Sequence, residues 1–317
     1  MIPEYLVKVG GVDYTSRFAS RIKSIRIHDG EGLESDTCDL EFDNKNQSIS
    51  IPPTGDVVEV SLGYRRDLQK MGRFIVTDRV LRGMPLSLSI SCKAADLRAT
   101  MKERRFDTYE NMTIAQIVQK IASRNGLKAS AMGSVGKILY DYLAQTGESD
   151  LAFIRRLGRV HDAISSPKMG ELIFARKGEI DFGTLTVVPR DVISFETPLR
   201  DRPKYSSTSA CYWDSDKAEQ KLEIVSGGEG KVRLNLGGHY PDGLKQAAEA
   251  ARAQNAAMQR EAKTCSLSMI GNPRLKAEMR IKMKGFSASS DGTYRIKSAD
   301  HDFGEGGYIT DVEGEAL

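Results

Sequence analysis

The sequence is short of the features that mark most enzymes, membrane proteins and nucleic-acid binders. Among 317 residues there are four cysteines, Cys38, Cys92, Cys211 and Cys265, far apart and with no CxxC pair. That excludes a thiolate metal site and a disulfide framework, and predicts reduced core cysteines of a protein made in the cytosol. There is a single tryptophan, Trp213, and aromatics make up 7% of the chain. Stacking platforms for an oligonucleotide need exposed aromatics, so a binding barrel for oligonucleotide or carbohydrate is poorly supported. No run approaches 18 apolar residues, so no transmembrane helix is predicted. The start, Met1 to Tyr5, has no basic segment followed by an apolar one, so no secretory signal is read. Lys plus Arg is 46 and Asp plus Glu is 43, a net charge of +3. A dedicated nucleic-acid binder carries a stronger basic excess.

Catalytic patterns are missing as well. His28, His161, His239 and His301 sit in no HExxH or HxH arrangement and near no cysteine pair. His28-Asp29 and His301-Asp302 read as solvated or strand-end residues, not metal ligands. No GxSxG surrounds any serine. The glycine-rich stretches Gly227–Gly230, Gly237-Gly238 and Gly304–Gly307 lack the strand-before, helix-after context of a phosphate loop, and read as β-turns. Glu148 and Asp150 open a predicted helix, where acids are favoured for local reasons. No catalytic, cofactor or metal site is predicted.

What is present is a globular composition, 40% hydrophobic and 28% charged. The length favours two domains. Leu86, Leu88, Ile90 and Cys92 alternate with serines. Cys38, Leu40 and Phe42 alternate with acids, and Val58, Val60, Leu62 and Tyr64 follow the same period. A period of two with one apolar face predicts half-buried antiparallel strands. Pro52–Gly55 is a turn. Thr113 then caps a helix whose apolar residues, Ile114, Ile117, Val118, Ile121 and Ala122, share one face and stop at Asn125-Gly126. A second helix is predicted from Ser149, with Leu151, Ile154, Leu157 and Gly158 in one stripe. Glu171–Ala175 and Leu185–Val188 read as strands. After Leu222–Ile224 and Val232–Leu236 comes an Ala-rich helix from Lys245 to about Glu261, which buries little area per turn. Strands around Cys265, Met279–Met283, Tyr294 and Gly307–Val312 close the chain.

Charge is segregated. Seven acids and no Lys or Arg lie in 29–43: Asp29, Glu31, Glu34, Asp36, Asp39, Glu41 and Asp43. Residues 65–105 hold eleven bases against four acids, and 300–317 hold six acids and no Lys or Arg. Ordinary solvated strand faces would give this pattern, and so would complementary patches that orient copies or partners.

Three segments together carry a resemblance. Tyr142–Leu157, containing Gln145, Glu148, Ser149, Asp150 and Phe153, with Gly170–Phe174 after it, resembles the "Q…ESD..F…RL" helix and following strand of the phage late control D family. The Ala-rich helix leading to Gly271-Asn-Pro273-Arg-Leu275 matches that family's "G.P.L" turn. Gly292–His301 with Gly307–Thr310 is similar to its closing hairpin, through Tyr294, His301 and Thr310. Two positions depart: Gly158 stands where Ala is more usual, and Glu278 where Gly often stands. The resemblance implies a β-rich α+β protein. Two small antiparallel β-barrel, tube-like domains flank a helix-bearing α/β middle section, with a helical excursion in the second barrel. The expected division is residues 1–104, 105–187 and 188–317, the excursion covering about 238–262.

The implied function is structural: a baseplate hub of a contractile phage tail. Such hubs form a homotrimeric ring that adapts a hexameric tail tube to a trimeric central spike. The implied partners are further copies, the spike, the tail tube, and wedge and tape-measure proteins, with no membrane insertion and no sequence-specific nucleic acid. The implied setting is synthesis in the bacterial cytoplasm and residence in the virion baseplate. The expected motif residues are Gln145, Glu148, Ser149, Asp150, Phe153, Leu157, Gly271, Pro273, Tyr294, His301 and Thr310. The 29–43 acids are candidates for an interface or channel lining. The alternatives are the hub of a tailocin or type VI-like injection machine and a tail-associated cell-wall hydrolase using Glu148. The end at Leu317, soon after the closing hairpin, implies a spike on a separate polypeptide.

Overall fold

The computed structural model describes residues 2–18, 20–32, 36–47, 49–95, 99–168, 170–179, 181–198, 205–214, 217–226, 232–240 and 243–317. Glu34 and the Gly227–Gly230 stretch lie outside the described residues. The chain begins with β1 (Pro3–Val9), β2 (Val12–Asp13), α1 (Thr15–Phe18), β3 (Ile22–Gly30), β4 (Thr37–Asp43), β5 (Val57–Tyr64), β6 (Asp67–Arg82) and β7 (Ser87–Ala94). Next come β8 (Arg104–Thr113), α2 (Ile114–Arg124), β9 (Lys128–Met132), β10 (Leu139–Ser149), α3 (Asp150–Val160), β11 (Ala163–Lys168) and β12 (Glu171–Arg176). Then follow β13 (Thr184–Val187), β14 (Val192–Glu196), β15 (Tyr205–Asp214), β16 (Glu219–Ser226), β17 (Val232–Tyr240) and α4 (Gly243–Ala262). The last strands are β18 (Thr264–Ile270), β19 (Arg280–Met283), β20 (Gly292–Gly304) and β21 (Gly307–Ala316).

These elements group into two compact units, one of Met1–Leu97, Phe182–Thr197 and Cys265–Glu315, the other of Arg98–Asp181, Pro198–Thr264 and Ala316–Leu317. The β-rich α+β class expected from the sequence is what forms. The grouping differs from the expected linear order of 1–104, 105–187 and 188–317. Residues 182–197 and 265–315 join the N-terminal strands, while 198–264, with the helical excursion, join the middle section. The physical cause is the antiparallel pairing of β20 with β3, from Ser298↔Gly30 to Gly304↔Ser24. It joins N-terminal strands and the C-terminal strands β18–β21 in one 13-stranded sheet, ordered β14-β18-β21-β20-β3-β4-β7-β6-β5-β1-β2, with β13 and β19 off that path.

The alternation read in the sequence builds the core of this first unit. In β4, Cys38, Leu40 and Phe42 are buried, and in β7 Leu88, Ile90 and Cys92 oppose them in register. Val58, Val60 and Leu62 of β5 and Ile25 and Ile27 of β3 complete the same cluster. The Gly237-Gly238 pair, expected as a turn, lies inside β17 instead. There the register with β15 slips between Ala210↔Leu236 and Cys211↔His239. Two extra residues in one strand make a bulge, a place where glycine is favoured.

The second unit contains the ribbon β8–β10, the sheet β11-β12-β9, the sheet β16-β15-β17 and three helices. Helix α2 starts where the sequence predicts. The Thr113 hydroxyl accepts from the Gln116 amide, and the Gln116 side chain accepts from the Thr113 amide at 2.8 Å. This capping box satisfies two donors that a helix start otherwise leaves open. Ser149 caps α3 by accepting from the Ala152 amide at 3.2 Å. The apolar faces of α2 and α3 meet in one core with Tyr109, Leu143, Leu172 and Phe174. Helix α4 buries mostly alanine. Ala247 and Ala251 pack on Ala210, with Tyr212, Val225 and Leu236 at the margin.

Gly158 explains one departure from the family pattern. A Cβ there would lie 2.5 Å from the Ser165 hydroxyl oxygen, 3.0 Å from Ser165 Cβ and 3.1 Å from the Ala163 carbonyl oxygen. We expect Gly158→Ala to destabilise the protein by about 1–3 kcal/mol, the usual range for overpacking. In a double-mutant cycle read by urea unfolding, Ser165→Gly should recover part of that loss, and strict additivity would show that the contact does not matter.

Candidate functional site: two buried arginine networks

In the second unit the motif residues converge on Arg124, the last residue of α2. Its guanidinium donates to Asp150 from Nε at 2.8 Å and again from Nη2, to Asp107 from Nη1 at 2.8 Å, and to Tyr109 and Gln145 at 2.9 and 3.1 Å. Asp150 is fully buried. Its carboxylate also accepts from Asn125 at 2.8 Å and from Gln145 Nε2 at 3.0 Å. Gln145 donates further to the Glu148 carbonyl at 3.0 Å. The helix-start reading of Asp150 therefore understates it: this carboxylate is the counter-charge of a partly buried cation. Glu148 turns away to pair with Arg156 at 3.0 Å. Phe153 stacks on Tyr109 with centroids 5.1 Å apart, and Leu157 lies beneath in the core. Burial pushes the Tyr109 hydroxyl up to about 12. Burial alone would raise the Asp107 carboxyl, but hydrogen bonds from Lys120 and Arg124 outweigh it and hold it below the usual range.

A second network fills the first unit. Arg295 is 1% exposed. It donates to Glu278 at 2.7 Å, and from one nitrogen to Glu31 and Glu315, each at 2.5 Å. Burial opposes the charge on Arg295, but Glu278, Glu31 and Glu315 reverse this and hold its pKa above the ordinary arginine value. Glu278 adopts φ +73°, the left-handed region that favours glycine. Its side chain accepts from the Gly32 amide at 3.2 Å and from Arg295. The second departure from the family pattern is thus a strained residue kept for its carboxylate.

The closing motif residues gather beside it. His301, read from sequence as solvated or at a strand end, is 1% exposed. Its Nε2 faces the Leu275 carbonyl at 3.1 Å, while Nδ1 faces Tyr308 and Thr310 hydroxyls at 2.9 and 3.1 Å. A neutral ring that donates from Nε2 and accepts at Nδ1 satisfies all three. Burial pushes its pKa down to about 4. Thr310 also accepts from the Asn272 amide, and Gly271 donates to the Tyr308 carbonyl at 2.7 Å. A Cβ on Gly271 would lie 2.1 Å from the Tyr308 ring. Pro273 is buried in this turn. Tyr294 acts elsewhere in the same unit, donating to the Ser290 carbonyl at 2.7 Å.

The acidic run turns inward more than the sequence implies. Asp29 accepts from the Ala277 amide, Asp36 from the Gly30 amide, and Glu31 serves Arg295. Asp43 accepts from the Lys45 amide and pairs with its ammonium at 3.1 Å. Glu41 borders a shallow pocket with Lys23, Arg26 and Asp302. Among the described acids of the run only Asp39 is exposed, and it accepts from Ser91 at 2.6 Å.

Sequence reasoning missed a third cluster, around Glu249 of α4. Arg176 donates to it at 2.9 Å, His161 lies 3.7 Å away, and Arg252 donates at 3.0 Å. His161 in turn contacts the Tyr140 hydroxyl at 2.6 Å. The Glu249 carboxyl is held down at about 2 by His161, against the cost of burial, and by Arg176. A Glu in an Ala-rich helix gives no signal of this in the sequence. Among the described residues no group of three or more His, Cys, Asp or Glu is placed to hold a metal ion. Among them, too, no helix is long and apolar enough to cross a membrane.

Comparison with known proteins bears on these networks. The family model described as phage tail baseplate hub matches residues 48–307. A probable baseplate hub protein of Escherichia phage 186 is 30% identical over 233 residues, covering 71% of this chain and 60% of that protein. One from Escherichia phage P2 is 32% identical over 180 residues, covering 56% of this chain and 46% of that protein. The chain therefore spans less than two thirds of the length of the curated relatives it matches. Among solved structures, the 43 kDa tail protein of prophage MuSo2 from Shewanella oneidensis has TM-score 0.75 and 16% identity, over 99% of this chain and 98% of that one. A tail protein from Neisseria meningitidis MC58 has TM-score 0.70 and 14% identity, over 100% and 97%. The E. coli c3393 protein, described as a component of the type VI secretion system, has TM-score 0.57 and 13% identity, over 98% and 76%. At these identities the likeness to the three structures is one of fold.

Two outcomes follow from the networks. Asp150→Ala leaves the Arg124 cation with Asp107 but without its fully buried carboxylate, and should cost about 1.5–3 kcal/mol in urea unfolding, the range for hydrogen bonds to a charged group. In a double-mutant cycle, Arg124→Met with Asp150→Leu should cost less than the sum of the two single changes, and strict additivity would refute the ion-pair account. For His301, the unfolded ring binds protons from pH 6.5 downward, whereas the folded ring does so only near 4. Stability is therefore full above pH 6.5 and falls as pH drops toward 4, by on the order of 3 kcal/mol. A stability–pH profile of His301→Gln should lack this slope.

Proposed function

The chain belongs to the phage tail baseplate hub family, and from that premise we propose that it is a structural hub subunit of a contractile tail. Three copies would close a ring, present paired tube-like surfaces to a hexameric tail tube, and seat a trimeric central spike on the opposite face. Wedge and tape-measure proteins are the further partners of that reading. The protein would be made in the bacterial cytoplasm and reside in the virion baseplate, acting by assembly and not by turnover.

The observation that carries this is the family match over 48–307. The geometry supports it. Motif residues that might have served catalysis are consumed in holding the fold. Asp150 neutralises Arg124, Glu148 is paired to Arg156, and His301 is buried among hydroxyls and a carbonyl. A glycosidase needs two carboxylates free to face a substrate across a cleft. Glu148 and Asp150 are instead saturated by cations on their own unit.

Light scattering and negative-stain imaging of the purified protein, alone and with its spike, test the proposal. A trimeric ring of tail-tube width is expected, and a strict monomer even with the spike present would overturn it. Incubation with purified peptidoglycan is the second arm. No turnover is expected, and turnover lost in Glu148→Gln would overturn the purely structural reading.

A further inference from the structure

Two of the four cysteines face each other. The ladder between β4 and β7 places Cys38 directly opposite Cys92. The row continues on both sides, with Ile27 of β3 opposite Cys38 and Val76 of β6 opposite Cys92. All four side chains point into the same core, where Cys38 is 0% and Cys92 1% exposed. Directly opposed residues of an antiparallel pair have Cα atoms about 4.5–5.5 Å apart. That lies inside the range of about 4.4–6.8 Å that a disulfide spans. Each thiol also feels its surroundings. Burial pushes the Cys38 thiol up, with the neighbouring Cys92 adding to it, and burial holds Cys92 at about 12.

Such thiols are unreactive while covered, because the thiolate is the nucleophile. One register step, Thr37↔Lys93, and the bond from the Ala94 amide to the Asp36 carbonyl lie beyond the pair, and β3 and β6 flank β4 and β7 on either side. Reaction therefore waits on sub-global opening of this corner of the sheet, which costs less than unfolding the whole unit. That opening brings both sulfurs to solvent together, and a small oxidant then suffices.

We propose that Cys38 and Cys92 are an oxidisable pair that closes to a cross-strand disulfide when the protein meets hydrogen peroxide. One thiol loses its proton and attacks a peroxide oxygen. The O–O bond breaks, a sulfenic acid forms and hydroxide leaves. The second thiol, deprotonated, attacks that sulfur. The S–S bond forms and a second hydroxide leaves. The two hydroxides take up the two thiol protons, so two thiols and one peroxide give one disulfide and two waters. The sulfurs are oxidised and the peroxide oxygens reduced. A reducing cytosol keeps the pair open during synthesis, and an oxidising exterior closes it. The proposal rests on the ladder register, and only the compartments in which the pair stays open or closes follow from the hub reading.

The test uses the full chain, purified with reductant and then exposed to hydrogen peroxide in native buffer. Intact mass and a non-reducing peptide map are read before and after a thiol reductant. The expected result is a mass loss of two hydrogen atoms and one cross-link, between the peptides holding Cys38 and Cys92, reversed by the reductant. Cys265→Ser should retain the cross-link and Cys92→Ser should lack it. If Cys92→Ser fails to fold, the map of the unaltered protein decides alone. The proposal is overturned by oxygen added to either sulfur without a cross-link. It is likewise overturned by a cross-link through Cys211 or Cys265, or by both thiols surviving peroxide even at a urea concentration that frays the ladder.

Discussion

A guanidinium removed from water must be surrounded by acceptors, and much of this structure is arranged to meet that requirement twice. Arg124 in one unit and Arg295 in the other each draw acceptors from distant parts of the chain. Asp107, Gln145 and Asp150 come from two strands and a helix start, while Glu31, Glu278 and Glu315 come from segments up to 284 residues apart in sequence. The energetic role of such clusters is asymmetric. Replaced whole by apolar groups they can be dispensable, whereas losing one partner leaves a buried charge uncompensated. That asymmetry makes them devices of register. A strand that slipped by one residue would turn its carboxylate to the other face and strand the cation.

The two departures from the family pattern follow from the same packing demand. Gly158 leaves room for Ser165 and the Ala163 carbonyl where α3 meets β11. Glu278 tolerates a left-handed backbone because its side chain answers Arg295. Neither would be chosen by local propensity. In the second unit, α4 shows the complementary case. It buries alanines, so its apolar contribution is small. Its docking is supplemented by Glu249 with Arg176 and His161, and by Arg260 with Asp162 at 2.5 Å.

Local patterns were legible and long-range ones were not. The alternation in β4, β5 and β7, the Thr113 cap and the helix start at Ser149 are written in residues close in sequence, and each produced the element expected. Family resemblance in the same segments agreed with the comparisons. The pairing of β20 with β3 could not be read, because it joins residues 268 to 280 positions apart through backbone groups that every sequence shares. For the same reason the joining of N-terminal and C-terminal strands in one sheet could not be read. His301 illustrates the limit at a single side chain. Its neighbours in sequence are acids, which suggests a wet strand end, yet the residues that bury it, Leu275, Tyr308 and Thr310, arrive from a turn and the next strand.

The near-neutral total charge takes a more specific meaning in this light. A run of acids without bases looks like a patch offered to a partner, and charge complementarity of that kind steers association. Here most of the run is committed at home. Glu31 belongs to the Arg295 cluster, Asp29 and Asp36 accept from backbone amides, and Asp43 holds Lys45. Reversing the whole run would therefore disturb folding before it disturbed any interface. Asp39, exposed and accepting from the Ser91 hydroxyl, is the position where a charge change reports on assembly with least confusion. Segregated charge in a sequence marks long-range pairing within a chain as readily as recognition between chains, and only the distances between side chains separate the two.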